Sequence, residues 1–111
     1  MKIQNSILEL KQLGCMPDES EENLTNEQID RYAYLLKQIK TPINEEEAKI
    51  IVQLFPESGL YGVEWTLLHI FESVLKNVDA DIYVSLIKLC PSVEWKTHLT
   101  ERFNNLTSPL N

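Results

Sequence analysis

The sequence predicts an all-α fold, a single domain over residues 1–111 built from about six helices. Three observations predict it. Apolar residues recur at three- and four-residue spacing through most of the chain. Only three of the 111 residues are glycine, too few for a turn-rich sheet protein. Helix-start signatures also stand in order between proline and glycine stops.

The first helix is expected from about Ile3 to Leu13, with Ile3, Ile7, Leu10 and Leu13 on one stripe and Leu8 widening it. Gly14 can end it, and Pro17 follows. Residues 14–24 then read as an acidic loop carrying Asp18, Glu19, Glu21 and Glu22, expected to be the most mobile internal segment. Thr25 opens the second helix through a capping box with Gln28, and Leu24 and Ile29 supply the hydrophobic staple. Ile29, Tyr32, Ala33, Leu36 and Ile39 share its buried side, and Thr41-Pro42 ends it near Lys40.

Asn44 and Glu47 repeat the box at the third helix. There Glu45, Glu46 and Glu47 favour the positive helix end, and Ala48, Ile51, Val52 and Phe55 form the stripe before Pro56. The fourth helix is the most apolar run. From Val63 to Leu75 eight of thirteen residues are large and apolar, a surface broad enough to be buried on several sides. Glu64, His69, Glu72 and Lys76 occupy its other side. Asp79 caps a fifth helix with Ile82, Leu86, Leu89 and Cys90 on one face. Ser92 caps a sixth, where Trp95, Leu99, Phe103 and Leu106 recur, and a tail at about residues 107–111 is expected to fray.

Six helices fall naturally into three hairpins, arranged either as a HEAT-like α-α stack with the fourth helix innermost or as an orthogonal bundle. The tripeptide Val63-Glu64-Trp65 returns as Val93-Glu94-Trp95, thirty residues on, in the range of helical-hairpin repeats. Beyond the tripeptide the match fades.

Composition narrows function. The net charge is −7, and residues 1–47 hold ten acidic against five basic side chains. Phosphate contacts need Lys and Arg, so nucleic acid is not an expected partner. A basic protein partner suits the charge. No stretch has the length and apolarity of a membrane span. The opening residues MKIQNSILELKQL are broken by Gln4, Asn5, Glu9 and Lys11, unlike a secretory leader, so a cytoplasmic location is expected. Cys15 and Cys90 lack CxxC spacing and are expected to be reduced, buried thiols.

Catalytic patterns are weak. His69-x-x-Glu72, with His98 and Cys90 elsewhere, is a poor metal signature, and no cofactor is expected. Glu64 and Glu72 are eight residues apart on one helix, about 12 Å along its axis, too far for a direct acid-base pair. No glycine-rich phosphate loop or GxSxG is present. The residues expected to meet a partner are therefore Asp18, Glu19, Glu21, Glu22, Glu45, Glu46, Tyr61, Glu64, His69 and Glu72. Tyr34, Tyr61 and Trp65 lie at or beyond the edges of their apolar stripes, as exposed anchors would.

One segment carries a resemblance. Leu54-Phe55-Pro56, a short polar loop, then Tyr61-Gly62, Trp65, Leu67-Leu68-His69 and Glu72 resemble the pattern of the immunity protein 30 family. These are small bacterial antidotes to polymorphic or contact-dependent toxins. The resemblance covers some 20 of the 111 residues. It implies tight binding of a cognate toxin domain, with no catalysis, and it implies that Trp65 and His69 serve the fold more than the interface. Charge alone suggests that this toxin domain is a basic, nuclease-type one. A HEAT-like adaptor for another cytoplasmic protein is the alternative expectation.

Overall fold

Six α-helices and no strand make up the secondary structure of residues 2–107, the residues described in this computed structural model. They are α1 (Asn5–Leu13), α2 (Asn26–Lys37), α3 (Glu45–Ile51), α4 (Val63–Glu72), α5 (Ala80–Ile87) and α6 (Val93–Thr107). Short 3-10 turns prolong α3 over Val52–Leu54 and α4 over Ser73–Lys76. Past Thr107, the tail expected to fray lies outside the described residues. Among those residues no helix is long and apolar enough to cross a membrane.

The helix starts fall where capping chemistry puts them. Thr25 and Gln28 exchange side-chain-to-amide bonds (3.2 and 2.9 Å), and Asn44 and Glu47 do the same (2.8 and 3.0 Å). Asp79 accepts the Ile82 amide at 2.9 Å, and Ser92 accepts the Trp95 amide at 3.2 Å. Each bond satisfies a donor that the first helical turn leaves without a partner.

The ends of the second and fourth helices fall earlier than the periodicity predicts, where tertiary bonds take over the backbone. The second helix stops at Lys37 rather than near Lys40. The Gln4 side chain holds both polar groups of the Lys40 backbone, donating to its carbonyl at 2.9 Å and accepting its amide at 2.8 Å. Gln4 is itself extended, so α1 begins two residues later than Ile3. Its own amide donates to Glu47 Oε2 at 3.0 Å. At the end of α4, Ser73 Oγ donates to the Ile70 carbonyl (2.6 Å) and accepts the Ile43 amide (3.1 Å), where the helix tightens into its 3-10 turn.

All three hairpins form, α1 with α2, α3 with α4 and α5 with α6. The first two lie side by side, since α1 also packs on α3 and α2 on α4. In the third, α5 packs against the turn that follows α4. Helix α4 is accordingly the inner member, meeting α2, α3 and, through Trp65 and Trp95, α6. Leu67, Leu68, Phe71 and Val74 of its segment are fully buried among Ile7, Leu10, Ile51, Phe55 and Leu99. Burying one such side chain is worth about 1.5–3 kcal/mol, so this arc of α4 anchors the core.

The edge position read for Trp65 holds, and the burial expected of Cys15 is corrected. Trp65 is 45% exposed while Trp95 is 2% exposed. The two indoles meet edge to face. Trp95 is the buried one, stacked on Phe55 with its indole N–H satisfied by the Ser58 carbonyl at 2.9 Å. Cys15 is exposed rather than buried, although its Sγ donates to the Phe55 carbonyl at 3.0 Å. Both cysteines are free.

Candidate functional site

The segment between Pro56 and α4 has no helix or sheet partner for its amides. Three carboxylates supply one. The amides of Ser58 and Gly59 donate to Asp18 Oδ1 (2.7 and 3.0 Å). Those of Leu60 and Gly62 donate to Glu64 Oε1 (2.8 and 3.0 Å), and that of Tyr61 donates to Glu19 Oε1 (3.2 Å). Five successive backbone N–H groups are thus held by anions, and the buried amide of Leu60 and the part-buried ones of Gly59 and Gly62 gain partners there.

The acidic loop is tied to this segment along its length. The Met16 amide donates to the Leu54 carbonyl and the Glu19 amide to the Gly59 carbonyl, both at 2.8 Å. Asp18 Oδ2 also accepts the Ser20 hydroxyl at 2.6 Å. That bond, followed by those from Gly59 and Ser58, holds the Asp18 carboxyl well below the usual carboxylate range. The loop expected to be most mobile is therefore a strap.

The strap fixes an unusual backbone. Tyr61 has a φ of 49°, in the left-handed region that non-glycine residues rarely adopt, and Gly62 follows at 91°. At Gly59, an added Cβ would stand 2.9 Å from Glu19 Oε1 and 3.0 Å from Glu64 Oε2, so the converging carboxylates require glycine there. The result is a rigid loop that projects the Tyr61 ring, 65% exposed, into solvent.

The ten residues expected at an interface divide into three places. Asp18, Glu19, Tyr61 and Glu64 come together in the strap, and Glu21 and Glu22 stand beside it. Glu19, Glu21, Glu22 and Tyr61 line one open groove with Leu24, Asn26 and Ile29. Glu45 and Glu46 lie at the start of α3, where Lys49 of the same helix reaches both (3.9 and 3.2 Å). His69 and Glu72 lie on the second half of α4.

Several of these assignments need correction. Glu64 does not face a partner, because it is 6% exposed and turned onto its own loop. Glu72 is held by Arg102 of α6 in a two-bond fork (2.8 and 2.9 Å), which leaves exposed His69 3.9 Å away as a minor neighbour. Asp18 and Glu19 also serve as acceptors for the loop amides, Glu19 while remaining exposed. Among the described residues no three His, Cys, Asp or Glu side chains gather as a metal site would require.

The sequence contained one usable hint of the strap. Gly62 sits at the N-cap position of α4 and brings no capping side chain, so an acid two residues on is a natural substitute. The pairing of Asp18 and Glu19 with a loop some 40 residues away had no local signal. Comparison of the chain with protein-family models, with curated proteins and with solved structures returned no match.

Proposed function

We propose that this chain is a non-catalytic binding protein of the cytoplasm, an immunity protein that neutralises a cognate bacterial toxin domain by occupying it. The observation that carries the reading is the presentation of Tyr61. Its ring is exposed on a backbone immobilised by Asp18, Glu19 and Glu64. A tyrosine fixed in this way loses little conformational entropy on docking, and tyrosine and tryptophan dominate interface hot spots. Half-exposed Trp65 stands in the first turn of α4, just after this loop.

Charge supports the partner class. With a net charge of −7, association with a basic domain is accelerated and acidic competitors are disfavoured. The resemblance of Leu54 to Glu72 to the immunity protein 30 pattern gives the reading its biological setting. In that reading Leu67 and Leu68 chiefly hold the fold, while Tyr61 and the uncommitted acids give specificity.

The test is co-expression with the C-terminal domain of a large secreted protein encoded beside this gene. Growth should be restored, and the two chains should co-elute as a stoichiometric complex. Continued toxicity with no complex would overturn the reading. Recovery of a housekeeping protein as the stoichiometric partner would favour the adaptor alternative.

A further inference from the structure

We propose that the groove between the acidic strap and α2 seats an arginine or lysine side chain of a basic protein partner, with Tyr61 as its wall. This rests on the binding-protein reading above and names the contact that reading leaves open. The groove joins two kinds of surface. Leu24 and Ile29, both half-buried against the core, give it an apolar floor. Exposed Glu21 and Glu22 give it an anionic rim, and the exposed Tyr61 ring lines it as well.

A floor of that kind suits the methylene stem of a long cationic side chain, and the rim suits its head. The tyrosine face adds a cation-π contact. Arginine fits best, because its flat guanidinium can stack on the ring while its edge meets a carboxylate.

No basic residue lines the groove, so the chain does not answer this charge itself. Glu19 is occupied by the Tyr61 amide, whereas the Glu21 and Glu22 side chains make no hydrogen bond or ion pair among the described residues. The other acidic group makes the contrast. Glu45 and Glu46 have Lys49 within reach on their own helix, and no exposed aromatic stands in their turn. The groove is also prepared in advance, because the bonds that fix Tyr61 are internal to the protein.

The probe is a blocked peptide of alternating leucine and arginine, followed by amide NMR titration, beside the same peptide with uncharged citrulline for arginine. Shifts should concentrate at Leu24, Ile29, Tyr61 and the strap. The citrulline peptide, the Glu21→Gln/Glu22→Gln protein and the Tyr61→Asn protein should each bind about tenfold more weakly, the size expected for a few partly exposed contacts. Asn tolerates the left-handed backbone, so Tyr61→Asn removes the ring without adding strain. Glu45→Gln/Glu46→Gln should bind as the parent does.

Shifts spread over all acidic faces, equal binding of citrulline, or an equal loss in the Glu45→Gln/Glu46→Gln control would each overturn the proposal. The probe needs no toxin, so the two readings fail separately. A groove that binds arginine in a protein that rescues no cell refutes only the toxin assignment. Undiminished rescue and complex formation with all three groove substitutions refutes only the groove.

Discussion

The Glu72 carboxylate grips the Arg102 guanidinium through both of its oxygens, at 2.8 and 2.9 Å, and so ties the end of α4 to the middle of α6. The Glu72 side chain is 14% exposed and that of Arg102 40%, which places the pair between an exposed bridge and a buried one. Solvent screening discounts such a contact, but a forked charge-assisted pair exceeds a single hydrogen bond. Arg102→Ala should therefore cost about 1–2 kcal/mol in urea unfolding. Arg102→Lys should restore only part of it, since an ammonium cannot make the fork. A double-substitution cycle with Glu72→Gln should give a coupling near 1 kcal/mol, and a coupling of zero would remove the fork from the account of stability.

Gly59 has a different kind of dependence. An added methyl group would crowd Glu19 Oε1 and Glu64 Oε2, at 2.9 and 3.0 Å. Carboxylate ends usually move aside cheaply, but these two are held by the amides of Leu60, Tyr61 and Gly62. Gly59→Ala should destabilise by about 1–3 kcal/mol, as overpacking does. Adding Glu19→Ala should then cost less than it does in the parent, because it removes the clash it would otherwise leave intact. Strict additivity of the two changes would show that the carboxylates do not define the glycine requirement.

The Asp18 clasp makes stability depend on pH with a definite sign. Its folded-state pKa is depressed by the bonds from Ser20, Gly59 and Ser58, while an unfolded aspartate titrates near about 3.9. The stabilisation is thus fully present above the unfolded value and is lost as pH falls through and below it toward the folded one. Asp18→Asn cannot titrate, so its deficit against the parent should be largest near neutral pH and shrink below about pH 4. Parallel urea midpoints for the two proteins from neutral to acid would contradict the clasp.

Legibility of the fold followed the range of the interactions. Capping boxes at Thr25 and Asn44 join residues three apart, and both form as read. The stripe of Ala48, Ile51, Val52 and Phe55 is wholly buried, although α3 ends at Ile51 and Val52 lies in the 3-10 turn after it. What failed is what the chain decides at a distance. Gln4 ends α2 by binding Lys40, and Arg102 claims Glu72 across thirty residues. Asp18 and Glu19, read as surface charge, meet amides about forty residues on. Local patterns cannot tell a solvated acid from one whose acceptor capacity is already taken.

The repeated tripeptide gives the sharpest case, and an experiment. Val63 is half-buried and Val93 is 79% exposed, while Glu64 is buried and Glu94 exposed. Trp65 covers the rim, whereas Trp95 fills the interior against Phe55 and donates to Ser58. The two copies therefore have opposite environments. Trp95→Ala should cost about 3–5 kcal/mol, the usual loss for deleting a buried large aromatic. Trp95→Phe should recover much of the packing but leave the Ser58 carbonyl without its donor, at about 1–3 kcal/mol. Trp65→Ala, which deletes a ring half in water, should cost less than half of the Trp95→Ala loss, because transfer energy scales with the area removed from solvent. Thermal melts of the three variants decide it, and equal losses at the two tryptophans would restore the repeat as a structural equivalence.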